Sequence, residues 1–368
     1  PEIIFLNHGS FGACAKPVYA NLIKWQQKLE QEPVKFFEET IMDALPESRQ
    51  ALGGYIGCSS DDLVYFPNPT TAVNAVARSL KLEPDDEVLS TNHIYGALDR
   101  SWKYICNQKN ASFIKANIPF PISSEDEFLE CFFSAVTDHT KVIFLSHITS
   151  MTAMKFPVEK VVSFAKKNNI LSIIDGAHVP GHIPLNIRKL DADMYTGACH
   201  KWMCTPKGVS FLYVRKELQE DVHPLVVSWG WKSERPGPSK FLDWHEWQGT
   251  RDMSAFLTVP AAVKFLKEHN WPEVSRKCRE SVVTFRKKFI DHLNIESPCP
   301  DNWLGQMASI PLPVLDAVTF KKNLMETYHI QVPVFEWENK TYLRYSIQAY
   351  NSEDELTKLL SAVKELLS

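Results

Sequence analysis

The strongest constraint on the fold of this chain is a rhythm. From Leu63 to Val214, short apolar runs alternate with amphipathic stretches of helical length. The runs at Leu63–Phe66, Glu87–Ser90, Ser112–Lys115, Lys141–Leu145, Ile170–Ile174, Asp193–Thr196 and Val209–Val214 predict about seven strands. Helical stretches fall between several of them, at Ala72–Leu80, Glu125–Val136 and Val158–Asn168. This alternation predicts a mostly parallel sheet covered by helices on both faces. Polar clusters follow the strands: Pro67–Thr71, Thr91–Gly96, Ser146–Ser150 and Asp175–Gly176. In a parallel sheet the ends of the strands form the ligand-binding edge.

The stretch Ile170–Gly208 carries the most chemistry. Its strand runs into Asp175, and Lys201 follows between His200 and Trp202, ahead of the turn Thr205–Gly208. A strand-end carboxylate and a loop lysine are what a pyridoxal phosphate enzyme needs. The lysine holds the aldehyde as a Schiff base, and the carboxylate keeps the pyridinium nitrogen protonated. Taken alone, Asp175 also fits a loop anchor and Lys201 a solvated surface charge. Asn68 and Pro69 suit the N-cap and first position of the helix that follows. The free amides of Thr70 and Thr71 would then face outward as a phosphate site made from backbone, although an ordinary capped helix reads the same way.

The 368 residues suffice for one large and one smaller domain. A net charge of −4 argues against a nucleic-acid footprint, and no apolar run has the length of a membrane span. Eight cysteines without a CxxC pair suit reduced thiols in a cytosol-like compartment. No signal peptide is visible; the first residue is Pro rather than Met, which leaves the natural start open.

Outside the alternating region, Phe5–Gly12 reads as a glycine-punctuated loop and Pro17–Glu30 as a helix. A second apolar-periodic segment spans Phe36–Tyr55, which Pro46 should interrupt or restart. The Trp-rich stretch Val227–Thr250 reads as irregular. Beyond it, Ala255–Leu293 is helical in two pieces broken near Pro272. Strands are expected at Met307–Pro311, Gln331–Phe335 and Tyr342–Ser346, with a helix over Leu315–Tyr328. A last helix starts at a capping box of Ser352 and Glu355.

The segments NHGSFG, NPTTAVN, HIYGALD, LSHITS, DGAHVPG, CHKWMCTPKG, WQGTRD and LRYSIQAYN, in that order, resemble class V aminotransferases of pyridoxal-phosphate fold type I, in the isopenicillin N epimerase-like branch. The likeness runs from residue 5 to 351. It implies a large domain at 31–255 around a mostly parallel seven-stranded sheet, and a smaller α+β domain at 256–368. Residues 1–30 become an arm and helix packing with the small domain. It implies pyridoxal 5'-phosphate on Lys201, with Asp175 at the ring nitrogen and His178 at the ring oxygen. Tyr95 would stack on the ring, with Ser150 near its oxygen. Thr70, Thr71 and His200 would hold the phosphate. Thr250 would reach across from the second subunit of a homodimer with shared active sites. Arg344 would clamp the substrate carboxylate, with Asn7 and His8 on the substrate side.

The implied activity is proton removal at Cα of an amino acid. Reprotonation gives an epimerase, loss of a β-sulfur group a C–S lyase, and protonation at the aldehyde carbon an aminotransferase. A scaffold or sensor would have no use for Lys201, Asp175 and Arg344 together. Cysteine desulfurases of this superfamily carry a mobile cysteine shortly before the substrate arginine, and Gln306–Arg344 has none. A zinc site from His178, His182, Cys199, His200 and Cys204 is disfavoured. Pro180 and Gly181 break any helix that would align the two histidines, and the second group lacks CxxC geometry. No metal is expected.

Overall fold

A computed structural model describes residues 3–368. Its centre is a seven-stranded sheet. The strands are β2 (Leu63–Phe66), β3 (Glu87–Thr91), β4 (Ser112–Ala116), β5 (Thr140–Ser146), β6 (Leu171–Gly176), β7 (Met194–Ala198) and β8 (Ser210–Val214), numbered after β1 (Ile4–Phe5). Their order is β2-β8-β7-β6-β5-β3-β4, and only β8 runs against its neighbours. The period of two sorts the side chains into two cores. Val142 and Phe144 of β5 join Val64, Phe66 and Ile173 on one face, beneath helices Pro69–Ser79 and Gly96–Lys109. Ile143 and Leu145 join Leu63, Tyr65 and Ile174 on the other, in a core that continues to Val363.

The C-terminal part holds a three-stranded antiparallel sheet ordered β11-β12-β9. These strands are β9 (Met307–Leu312), β11 (Val334–Trp337) and β12 (Lys340–Ser346). The short β1 pairs in parallel with β10 (Ile330–Gln331), tying the first residues of the arm to this region. The final helix, Glu353–Leu367, carries the predicted capping box.

Four local expectations are corrected. Pro46 does not interrupt its helix, which runs unbroken over Ile41–Ile56 after a π-helical turn at Phe36–Thr40. The hydrogen bond lost at the proline is outweighed by a buried stripe that includes Ile41, Leu45, Leu52 and Ile56. Gly96–Lys109 is a helix, beyond the polar strand end that the sequence predicts at Thr91–Gly96. Its buried stripe of Leu98, Trp102, Ile105 and Cys106 is narrow among charged residues. The Trp-rich stretch contains a helix at Lys240–Glu246, capped by Ser239. Finally, His8–Phe11 is a helical turn rather than loop.

Candidate active site

The carboxyl ends of β5, β6 and β7 and the start of helix Pro69–Ser79 surround a cavity of about 460 Å³. Its lining includes Ser10, Thr70, Thr71, Tyr95, Ser150, Asp175, His178, His200 and Lys201. Residues far apart in sequence meet here because parallel strands all end at one edge.

Asp175 is the penultimate residue of β6 and is buried. Its Oδ1 accepts from the Ala177 amide at 3.0 Å. Burial raises its pKa, a shift opposed by that hydrogen bond and by Lys201. No cationic group lies within ion-pair distance of it among the described residues.

Lys201 is partly open to the cavity but deeply embedded. Burial lowers its pKa to about 7, helped by the Arg344 charge and opposed by Asp175. Its Nζ lies 3.1 Å from His178 Nε2, and the Trp202 indole N–H donates to His178 Nδ1 at 3.4 Å. Burial holds His178 well below the ordinary histidine pKa, so it is neutral. His200 is held at about 4, first by burial, and its Nδ1 lies 3.1 Å from the Val209 carbonyl.

Asn68 caps the helix as predicted, accepting from the Thr71 amide at 2.8 Å and the Thr71 hydroxyl at 3.0 Å. The Thr71 amide is therefore engaged, which corrects the expectation that both amides are free. Tyr95, 45% exposed, sits at the start of helix Gly96–Lys109 on the cavity wall.

Arg344, on β12, is buried beside the cavity. Its Nη1 donates to Ser150, through the carbonyl oxygen, and its Nη2 to Ser10 Oγ at 2.8 Å. Its Nε is buried without a partner. Ser10 lines the cavity without having been expected there; its place two residues after His8, within the segment Phe5–Gly12, is the sequence signal for it.

Besides Arg344, which stands behind Ser10 and Ser150, three expected residues do not line this cavity. Asn7 accepts a hydrogen bond from the Ser10 hydroxyl. His8 is fully buried, with Nε2 2.9 Å from the Lys201 carbonyl oxygen; packing turns it away from the substrate side. Thr250 is exposed and away from its own chain's cavity.

A deep carboxylate without a partner cation suits a protonated ring nitrogen. A helix N-terminus suits a phosphate. A lysine of lowered basicity suits a carbonyl, and an arginine with an unpartnered Nε suits a carboxylate. Together they fit an enzyme that works with a phosphorylated aldehyde cofactor. The chain belongs to the aminotransferase class-V family, whose match spans residues 21–359, and its cofactor is pyridoxal 5'-phosphate.

Among its relatives, the isopenicillin N epimerase of Amycolatopsis lactamdurans is 29% identical, covering 100% of this chain and 96% of the relative. A probable chloroplastic L-cysteine desulfhydrase of Arabidopsis thaliana is 26% identical, covering 100% and 83%. The fold is shared with the apo cysteine desulfurase of Thermococcus onnurineus NA1, at a TM-score of 0.84 and 18% identity over 99% of this chain and 94% of that one. A complex between the cystine C-S lyase C-DES and its product cysteine persulfide gives 0.84 and 18%, over 98% and 97%.

Proposed function

We propose that this enzyme removes the proton from Cα of an amino acid and returns it in epimerase fashion. The observation that carries the reading is that Lys201 and the serines holding Arg344 border one cavity. A substrate held by its carboxylate at Arg344 presents Cα to the Lys201 amine. When bound, pyridoxal phosphate supplies an electron sink for the pair left at Cα. Lys201, with a pKa of about 7, is a base matched to neutral pH. Asp175 supplies a fixed negative charge at the cavity floor, and the helix start at Thr70 and Thr71 supplies the anion site with His200. Ser10 and Ser150 orient the guanidinium. Return of the proton on the opposite face needs a second donor.

The similarity to isopenicillin N epimerases favours this outcome. A second reading, β-elimination from a sulfur amino acid, is favoured by the desulfhydrase relatives. A persulfide relay fits neither reading here, because none of the eight cysteines lines the cavity. The reading includes a homodimer in the cytoplasm, with Thr250 serving the partner's phosphate site, and the domain division at residue 256.

Incubation with a panel of L-amino acids in D₂O separates the outcomes. Deuterium at Cα with scrambled chirality supports epimerisation. Pyruvate with released sulfide or thiol supports the lyase and overturns the epimerase reading. Accumulation of the pyridoxamine form overturns both.

A further inference from the structure

The helical turn His8–Phe11 touches both ends of the reaction centre. His8 Nε2 lies 2.9 Å from the Lys201 carbonyl oxygen, and Nδ1 lies 2.8 Å from the Tyr350 hydroxyl. A carbonyl only accepts, so Nε2 carries the proton and Nδ1 accepts from Tyr350. The ring packs on Trp202, with centroids 5.0 Å apart. Two residues on, Ser10 Oγ accepts from Arg344 at 2.8 Å.

The same segment is pressed against the lysine loop. Gly12 has φ +71°, and a Cβ there would meet the His200 carbonyl oxygen at 2.0 Å and Lys201 Cα at 2.8 Å. Lys207 Nζ donates to the Gly12 carbonyl at 2.8 Å, and the Ala15 amide donates to the Cys204 carbonyl at 3.1 Å. Lys201 lies in a turn beyond the end of β7, where its carbonyl also accepts from the Cys204 amide at 3.2 Å. No sheet ladder fixes this peptide; His8 and the turn do.

We propose that His8 is a positioning residue for Lys201. Its imidazole fixes the carbonyl, and so the backbone from which the amine reaches into the cavity. Through Ser10 the same turn keeps the amine in register with the carboxylate clamp. This rests on the reading of Lys201 as the cofactor lysine.

The test compares His8→Leu with His8→Gln, whose amide can still donate to the Lys201 carbonyl. The readouts are the visible circular-dichroism band of the bound cofactor, and kcat and KM for Cα–deuterium exchange. Misplacing a reacting group by an ångström or less supports a kcat loss of about tenfold or more in His8→Leu, with KM within about twofold and a weakened band. His8→Gln should recover most of both. Should His8→Leu not fold, Tyr350→Phe carries the test by deleting only the hydroxyl that holds the ring. A loss in the same direction, of about threefold, is then expected. Unchanged kcat and band in the folded variant overturn the proposal, as does a rise in KM alone, which would make His8 a substrate contact. If borohydride tags Lys201 in the unsubstituted protein, such a failure is the proposal's alone; with no tag, the functional reading falls with it.

Discussion

The Lys201 amine accepts a hydrogen bond from a histidine whose proton is placed by an indole. An indole nitrogen only donates, so His178 Nδ1 accepts from Trp202 at 3.4 Å and the proton of the neutral ring sits on Nε2. That Nε2 lies 3.1 Å from Lys201 Nζ, which must be a free amine to accept. Burial and Arg344 act in the same direction on its pKa.

Uptake of pyridoxal phosphate by the cofactor-free protein should therefore rise with pH through about 7 and level off above it, because only the free amine attacks. Stopped-flow absorbance measures this. A rise centred near ~10, the ordinary lysine range, would contradict it. The folded pKa lies below the unfolded one, so the unfolded chain binds more protons between about 7 and ~10. The Lys201 contribution to stability of the cofactor-free chain rises with pH across that window and is least favourable below it.

Replacing Arg344 by Gln removes the charged donor beside the cavity while keeping much of the stem. Charge-assisted hydrogen bonds contribute about 1.5–3 kcal/mol, so KM for the amino acid should rise about 10- to 100-fold. The visible band of the bound cofactor should stay. Steady-state kinetics and absorbance on one sample decide it; loss of the band with unchanged KM would move Arg344 out of the substrate site.

Asp175→Asn keeps shape and deletes charge. Removing one member of a buried charge pair costs about 3–5 kcal/mol, so cofactor affinity and Cα exchange together should fall by at least about a hundredfold. Fluorescence titration with the cofactor and deuterium exchange measure the two parts.

The sheet was legible because its strands are near-continuous apolar runs with a polar residue where each ends, as at Asp175. The N-cap at Asn68 was legible because capping is local. Helix Gly96–Lys109 was missed because four buried residues among charged neighbours leave a faint stripe. Pro46 misled because local propensity yields to burial of the whole helix face. The segment holding His8 and Ser10 stands out in the sequence, but the contacts of the two residues do not. Their partners Lys201 and Arg344 lie 193 and 334 residues away, and no local pattern encodes such contacts.

The Asn68 cap gives a stability prediction independent of chemistry. Asn68→Ala removes the acceptor for the Thr71 amide and hydroxyl. It should cost about 1 kcal/mol in denaturant unfolding of the cofactor-free protein. It should also weaken phosphate binding, since helix Pro69–Ser79 frays at the end that faces the cavity. An unchanged midpoint would show that the cap is redundant.

The most direct test is borohydride reduction of the protein saturated with pyridoxal phosphate, followed by peptide mapping. The account predicts a single pyridoxyl adduct on Lys201, abolished together with the visible band in Lys201→Ala. An adduct on another lysine, or no adduct on a protein that still binds the cofactor, would contradict it.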